Sequence, residues 1–195
     1  MRVLVACEFS GRVRDAFLAK GHDAWSCDLL PTEVEGPHYQ CDVRTVLNQG
    51  WDLMICHPPC TYLAVSGARW WKKRQREQVE ALDFVRLLLA ANIPRICLEN
   101  PKSVISSKIR RPNQCIEPWM FGEPEAKLTC LWLKNLPPLK ATNRLTLPAS
   151  GLWSNQIETS VGSKQNVVGG KDRAKERSRT YKGIAEAMAN QWGVL

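Results

Sequence analysis

Two short stretches of this sequence place reactive side chains where a strand must stop. The apolar run Leu53-Met54-Ile55-Cys56 leads into His57-Pro58-Pro59-Cys60, and Arg95-Ile96-Cys97-Leu98 leads into Glu99-Asn100-Pro101. Short apolar runs closed by proline predict buried strands, and in an open α/β sheet the carboxyl ends of strands are where ligands bind. Cys60 is therefore expected at the mouth of a cleft, with its thiol available as a nucleophile. A carboxylate beside an amide can hydrogen-bond a ring nitrogen and an exocyclic amine together, as N3 and N4 of cytosine require. Taken singly, Cys60 could be a small buried residue and Glu99 a cap or a surface ion pair. Two such strand ends on one sheet edge favour the chemical reading. Cys56, His57 and Cys60 as zinc ligands lack a fourth ligand nearby, so no metal is expected.

The elements that must hold these groups follow from the pattern around them. Arg2 to Cys7 predicts a first strand, Glu8-Phe9-Ser10-Gly11 a turn, and Arg12 to Lys20 a helix with apolar residues at Val13, Ala16, Phe17 and Leu18, closed by Gly21. Ala24 to Cys27 predicts a second strand ending at Asp28, an acid placed to accept hydrogen bonds from the ribose hydroxyls of a nucleoside cofactor. After a loop over 32–40, Cys41-Asp42-Val43 predicts a short third strand; Asp42 either faces the same pocket or caps a helix over 44–48. The run from Arg69 to Arg76 interleaves basic residues with Trp70 and Trp71. It can grip phosphates and stack on bases, or it opens a solvated helix whose apolar stripe is Val79, Leu82, Val85 and Leu89.

The chain has 195 residues, of which 44% are hydrophobic, as expected for one domain with a real core. No run is long enough to cross a membrane and the first residues do not read as a signal peptide, so a cytoplasmic protein is expected. Eight cysteines without a Cys-x-x-Cys pair fit reduced thiols. Residues 1–100 hold 12 Lys/Arg against 12 Asp/Glu, while residues 101–195 hold 15 against 7 and so carry the whole net charge of +8. A neutral half followed by a basic half suggests a catalytic part joined to a surface for a polyanion, DNA being the expected partner; solubility is the plainer alternative.

With these residues in view, the chain resembles the DNA cytosine-5 methyltransferases, in a compact form like those of bacteriophage genomes. Pro59, Cys60 and Gly67 are similar to the family's nucleophile motif, and Glu99 and Asn100 to its glutamate-asparagine pair. Phe9, Ser10 and Gly11 resemble a shortened cofactor loop. The resemblance implies an α/β fold with a Rossmann-like S-adenosylmethionine-dependent methyltransferase sheet. It further implies cofactor contacts from Phe9, Ser10, Gly11, Asp28, Leu29, Asp42, Val43 and Pro58. Cys60 would add to C6 of cytosine, Glu99 would hold N3 with Asn100 in support, and Arg177 and Arg179 would steady the flipped base on a strand. The last helix, 181–192, would return to the cofactor site.

The likeness covers residues 1–101 well and the last twenty loosely, which divides one domain into a cofactor and catalytic core (1–101), a reduced recognition insert (102–176) and a returning segment (177–195). Thr61 stands where the family has glutamine, the cofactor loop has one glycine, and there is no room for a large recognition domain. Within the insert, 128–133 predicts a strand and 143–170 a mobile loop. Three alternatives stay open: an amino-methyltransferase of DNA, a methyltransferase of free pyrimidine nucleotides, and a catalytically idle DNA-binding decoy. The sequence is silent on oligomeric state.

Overall fold

The computed structural model describes residues 1–159, 164–166 and 173–195. In chain order its elements are β1 (Arg2–Ala6), α1 (Arg12–Leu18), β2 (Asp23–Asp28), β3 (His38–Gln40), β4 (Leu53–Cys56), α2 (Gln75–Ala90), β5 (Arg95–Pro101), α3 (Ile105–Lys108), β6 (Gln114–Ile116), β7 (Thr129–Lys134), β8 (Gln156–Glu158), β9 (Lys164–Asn166), α4 (Arg173–Ser178) and α5 (Lys182–Trp192). Seven strands form one sheet in the order β3-β2-β1-β4-β5-β7-β6, and β8 pairs with β9 in a separate hairpin. All sheet neighbours are parallel except at β7, which runs antiparallel to β5 and β6. This is the Rossmann-like α/β sheet expected from the sequence.

Alternation along the central strands builds a core on each face. Val3, Val5, Leu53, Ile55 and Cys97 pack with Val13 and Phe17 of α1 and Ile184, Met188 and Trp192 of α5. Their neighbours Leu4, Ala6, Met54, Cys56, Ile96 and Leu98 pack with Leu82, Val85 and Leu88 of α2. A strand sends successive side chains to opposite faces, so helices on both sides require strands that are apolar throughout, as β4 is. Each such side chain, Ile55 for instance, contributes roughly 1.5–3 kcal/mol on burial. Chain order reverses between β1 and β4, and the crevice beyond their carboxyl ends is the expected ligand site of such a sheet.

The structure departs from the sequence pattern at four places. The third strand is His38–Gln40, paired with Ser26–Asp28, and not 41–43. At Asp42 the chain turns, because its carboxylate accepts the Arg44 N–H and caps a 3₁₀ turn, Val43–Thr45. Strand β5 runs on through Glu99 and Asn100 because β7 pairs with them, Glu99 opposite Leu131 and Asn100 opposite Cys130. In α2 the buried stripe is Leu82, Val85 and Leu88, with Val79 exposed. Arg177 and Ser178 end the helix α4 instead of forming a strand. Of the loop expected over 143–170, residues 160–163 and 167–170 lie outside the described residues, as do 171 and 172.

The turn after β1 depends on glycine. Gly11 has φ 72°, and a Cβ there would lie 2.5 Å from the Arg14 guanidinium and 2.6 Å from Val34. Arg14 cannot yield, because it is fully buried and donates to Ser26 Oγ, Thr32 Oγ1 and the carbonyls of Val34 and Glu35. Gly11→Ala is expected to destabilise the fold by about 1–3 kcal/mol. Chemical denaturation checks this as a lower midpoint at unchanged slope.

Candidate active site

Two prolines remove backbone donors after β4, so the chain cannot continue in the sheet and turns at Cys60. The Cys60 carbonyl accepts from Leu63 N (3.0 Å) and Ala64 N (2.8 Å). The same turn is tied to the segment after β5 through Val65 N to Lys102 O and Val104 N to Leu63 O, both 3.0 Å. The reactive ends of β4 and β5 are thus held to each other. Cys60 is exposed, yet the surrounding protein strips water from its thiol and raises its pKa, and the charge of Glu99 raises it further. Its own backbone N–H and the charges of Lys127 and Arg177 oppose the rise.

Behind Cys60 lies a buried polar network. Glu99 Oε2 is 3.0 Å from His57 Nδ1. Burial acts to raise the Glu99 carboxyl, but the hydrogen bond from His57 and the charges of Lys127 and His57 prevail and hold it below its ordinary value. Asn100, 1% exposed, donates Nδ2 to the Pro58 carbonyl at 2.9 Å and so steadies the Cys60 turn. Glu8, also buried, accepts from the N–H groups of Val13 (2.8 Å) and Arg14 (3.3 Å) at the start of α1. Burial pushes the Glu8 carboxyl up; the charge of His57 and these hydrogen bonds work against it. Asn100 Oδ1 and His57 Nε2 are buried with no hydrogen-bond partner among the described residues.

A pocket of about 210 Å³ sits at the ends of β1, β2 and β4, lined by Cys7, Cys27, Asp28, Leu29, Cys41, Asp42, Val43, Arg44, Pro59 and Phe84. Four residues singled out as cofactor contacts, Asp28, Leu29, Asp42 and Val43, therefore share one cavity. Pro58 does not line it; its place is taken by Pro59. Asp28 Oδ1 accepts the Leu30 N–H at 2.9 Å, and Oδ2 is not used by that turn. Asp42 bonds Arg44 through both oxygens, chiefly by the backbone N–H, and this lowers its pKa. Asp42 thus caps the 3₁₀ turn Val43–Thr45, in place of the helix expected over 44–48, and also lines the pocket. Cys7 has φ 58°, an uncommon backbone for a residue with a Cβ, and burial followed by the charges of Asp28 and Asp42 pushes its thiol up to about 12.

Phe9, Ser10 and Gly11 form the turn beside this pocket and do not line it. Ser10 Oγ donates to Glu8, and the Lys175 ammonium lies 5.5 Å from the Phe9 ring centre. Arg177 and Arg179 line a separate cleft of about 1270 Å³ with Lys127 and Tyr181, to which neither Cys60 nor Glu99 contributes. Lys127 Nζ donates to the Arg177 carbonyl at 2.7 Å, joining this basic group to the approach of β7. Arg179 is engaged by Glu33 through two bonds of 2.8 Å, and Lys175 adds a third contact of 2.8 Å to that carboxylate.

The Arg179 hydrogen bonds are the main reason that the Glu33 carboxyl falls to about 2; burial acts the other way, and Lys175 assists the fall. A carboxyl depressed in the folded state adds stability that is complete above its unfolded pKa, about 4.3, and is lost as pH falls towards 2. Glu33→Gln is therefore expected to lower the denaturation midpoint at pH 7, with the difference from wild type narrowing by pH 3.

Several site residues were not evident from sequence. Glu8 follows β1 directly, and an acid just ahead of a helix start is a capping signal that could have found it. His57 borders Pro58, but nothing local marks it as the partner of Glu99. Phe84 and Arg44 meet at the pocket, 4.9 Å from guanidinium to ring centre, and Lys127 acts from a distant segment. Only tertiary structure brings these groups in.

No family model and no curated protein matches the chain in sequence. In three dimensions it is similar to a protein of E. coli described as a DNA modification methyltransferase encoded within a prophage, with 15% identity and a TM-score of 0.48, over 68% of this chain and 46% of that one. It is also similar to a triple mutant of Spodoptera frugiperda DNMT2, with 14% identity and a TM-score of 0.43, over 80% of this chain and 58% of that one. The chain thus spans about half the length of these structures.

Proposed function

We propose that this chain is a DNA methyltransferase acting on C5 of cytosine through a covalent adduct with Cys60. The observation that carries the reading is the Cys60 turn tied through the Pro58 carbonyl to Asn100 at the end of β5, with Glu99 near enough for its charge to act on the thiol and a nucleoside-type pocket lined by Pro59 on the same sheet edge. The pocket suits an adenosyl group, since Val43, Phe84 and Pro59 offer apolar walls and Asp28 an acceptor for ribose hydroxyls. Asp28, Leu29, Asp42, Val43 and Phe84 would hold S-adenosylmethionine, which when bound supplies an electrophilic methyl group.

The chain's own residues activate the base. C5 of cytosine is a poor nucleophile until a thiolate adds at C6, which Cys60 does. Negative charge then builds on the ring, and Glu99 stabilises it at N3 by giving a proton. Asn100 fixes the Pro58 carbonyl and with it the approach of Cys60. Loss of the C5 proton to solvent expels Cys60 and restores the aromatic ring. A base in duplex DNA must first leave the stack, and the basic second half of the chain, 15 Lys/Arg against 7 Asp/Glu, supports a polymeric substrate.

An oligonucleotide carrying 5-fluorocytosine tests the reading. Fluorine cannot leave C5 as a proton does, so with S-adenosylmethionine present a denaturation-resistant protein–DNA complex is expected, mapped to Cys60 by peptide mass. Methylation of the oligonucleotide without any such complex would overturn it.

A further inference from the structure

We propose that His57 is the proton reservoir of Glu99, a positioning residue that resupplies Oε2 as Glu99 protonates the substrate ring; the role rests on the cytosine reading above. His57 lies at the carboxyl end of β4, its side chain only 7% exposed, with Nδ1 3.0 Å from Glu99 Oε2. An ionised carboxylate accepts hydrogen bonds and has none to give. Glu99 is kept in that form by the His57 contact and by Lys127, against the effect of burial, so it holds no proton of its own for N3. The group in hydrogen-bond contact with Oε2 is His57 Nδ1.

The far side of the ring completes the device. Nε2 is buried and no described residue satisfies it, although buried polar atoms are nearly always paired. A second acid, Glu8 on the turn between β1 and α1, is buried and its carboxyl interacts electrostatically with His57. The ring therefore contacts Glu99 of β5 through Nδ1 and feels the charge of Glu8 from the turn after β1, while Lys127 acts on Glu99 as well. A ring that carries a proton on each nitrogen can release the one on Nδ1 and remain a neutral imidazole.

The step balances. The Cys60 thiolate lone pair forms the Sγ–C6 bond, the C5–C6 π pair moves between C4 and C5, and the C4–N3 π pair moves to N3. The Nδ1 proton passes to Oε2 and on from Glu99 to N3, leaving Glu99 ionised, as it began, and His57 neutral. Once C5 has gained the methyl group, it releases its proton to solvent, that C–H pair re-forms the C5–C6 double bond as the Sγ–C6 pair leaves with Cys60, and the N3 proton returns by the same path.

His57→Asn separates this role from a merely structural one. The asparagine amide can keep a donor near Glu99 but has no proton to transfer. Single-turnover formation of 5-methylcytosine is measured in both proteins from about pH 6 to 9, with S-adenosylmethionine affinity by calorimetry as a control and nitrogen NMR of the His57 ring in the resting wild type. The expected result is a ring protonated on both nitrogens near neutral pH, and a variant slower by roughly 100-fold with unchanged cofactor affinity. The wild-type rate should also fall at alkaline pH, where the variant's rate keeps rising with Cys60 ionisation. A variant within threefold of wild type with the same pH profile, or a resting ring protonated on one nitrogen, overturns the role while leaving the cytosine reading intact. A wild type that makes no 5-methylcytosine overturns both.

Discussion

Cys60→Ala is expected to lower 5-methylcytosine formation by at least about 10⁴-fold, because addition of the Cys60 thiolate at C6 is the step that makes C5 nucleophilic. The same change should leave stability within about 0.5 kcal/mol of wild type, since Cys60 is exposed on a turn held by its carbonyl and not by its thiol. S-adenosylmethionine affinity should also hold, because the pocket is lined by Pro59 and not by Cys60. Single-turnover kinetics, calorimetry and chemical denaturation read the three quantities separately. A structural cysteine would reverse the pattern, with cofactor binding and stability falling along with activity.

Glu99→Gln is expected to cost roughly 10²–10³-fold in rate, the usual worth of a general acid in a site of this kind. The variant also has an opposite-signed effect on the nucleophile. The Glu99 charge raises the Cys60 thiol, so removing it lets the thiol ionise at lower pH. Alkylation by iodoacetamide, followed at the Cys60 peptide by mass spectrometry, should move its midpoint to lower pH while turnover falls. A more reactive nucleophile in a slower enzyme is the signature of a lost proton donor. If turnover instead rose with thiol reactivity, Glu99 would be only an electrostatic brake on Cys60.

The parts of this molecule legible in its sequence are those set by local pattern. β1, β4 and the apolar part of β5 are runs whose neighbours on both faces must be apolar, and the prolines at 58 and 59 mark where the chain leaves the sheet. The acid Asp28 was legible because it closes a strand. Less legible was whatever depends on pairing at a distance. Glu99 and Asn100 lie within β5 because β7, thirty residues on, extends the ladder past them. The third strand was misplaced by three residues because Asp42 uses its side chain to cap a turn, a local bond that competes with the ladder. Arg179 carries no mark of its tie to Glu33, 146 residues away. The interacting groups Glu8, His57 and Glu99 come from three segments, and no periodicity connects them.

The most direct test of the central claim is to incubate the protein with methyl-labelled S-adenosylmethionine and mixed genomic DNA, digest to nucleosides and identify the labelled one by mass spectrometry, with Cys60→Ala alongside. The prediction is label in 5-methylcytosine, absent from the variant. Label on an exocyclic amine, or label in 5-methylcytosine that persists without Cys60, would contradict it.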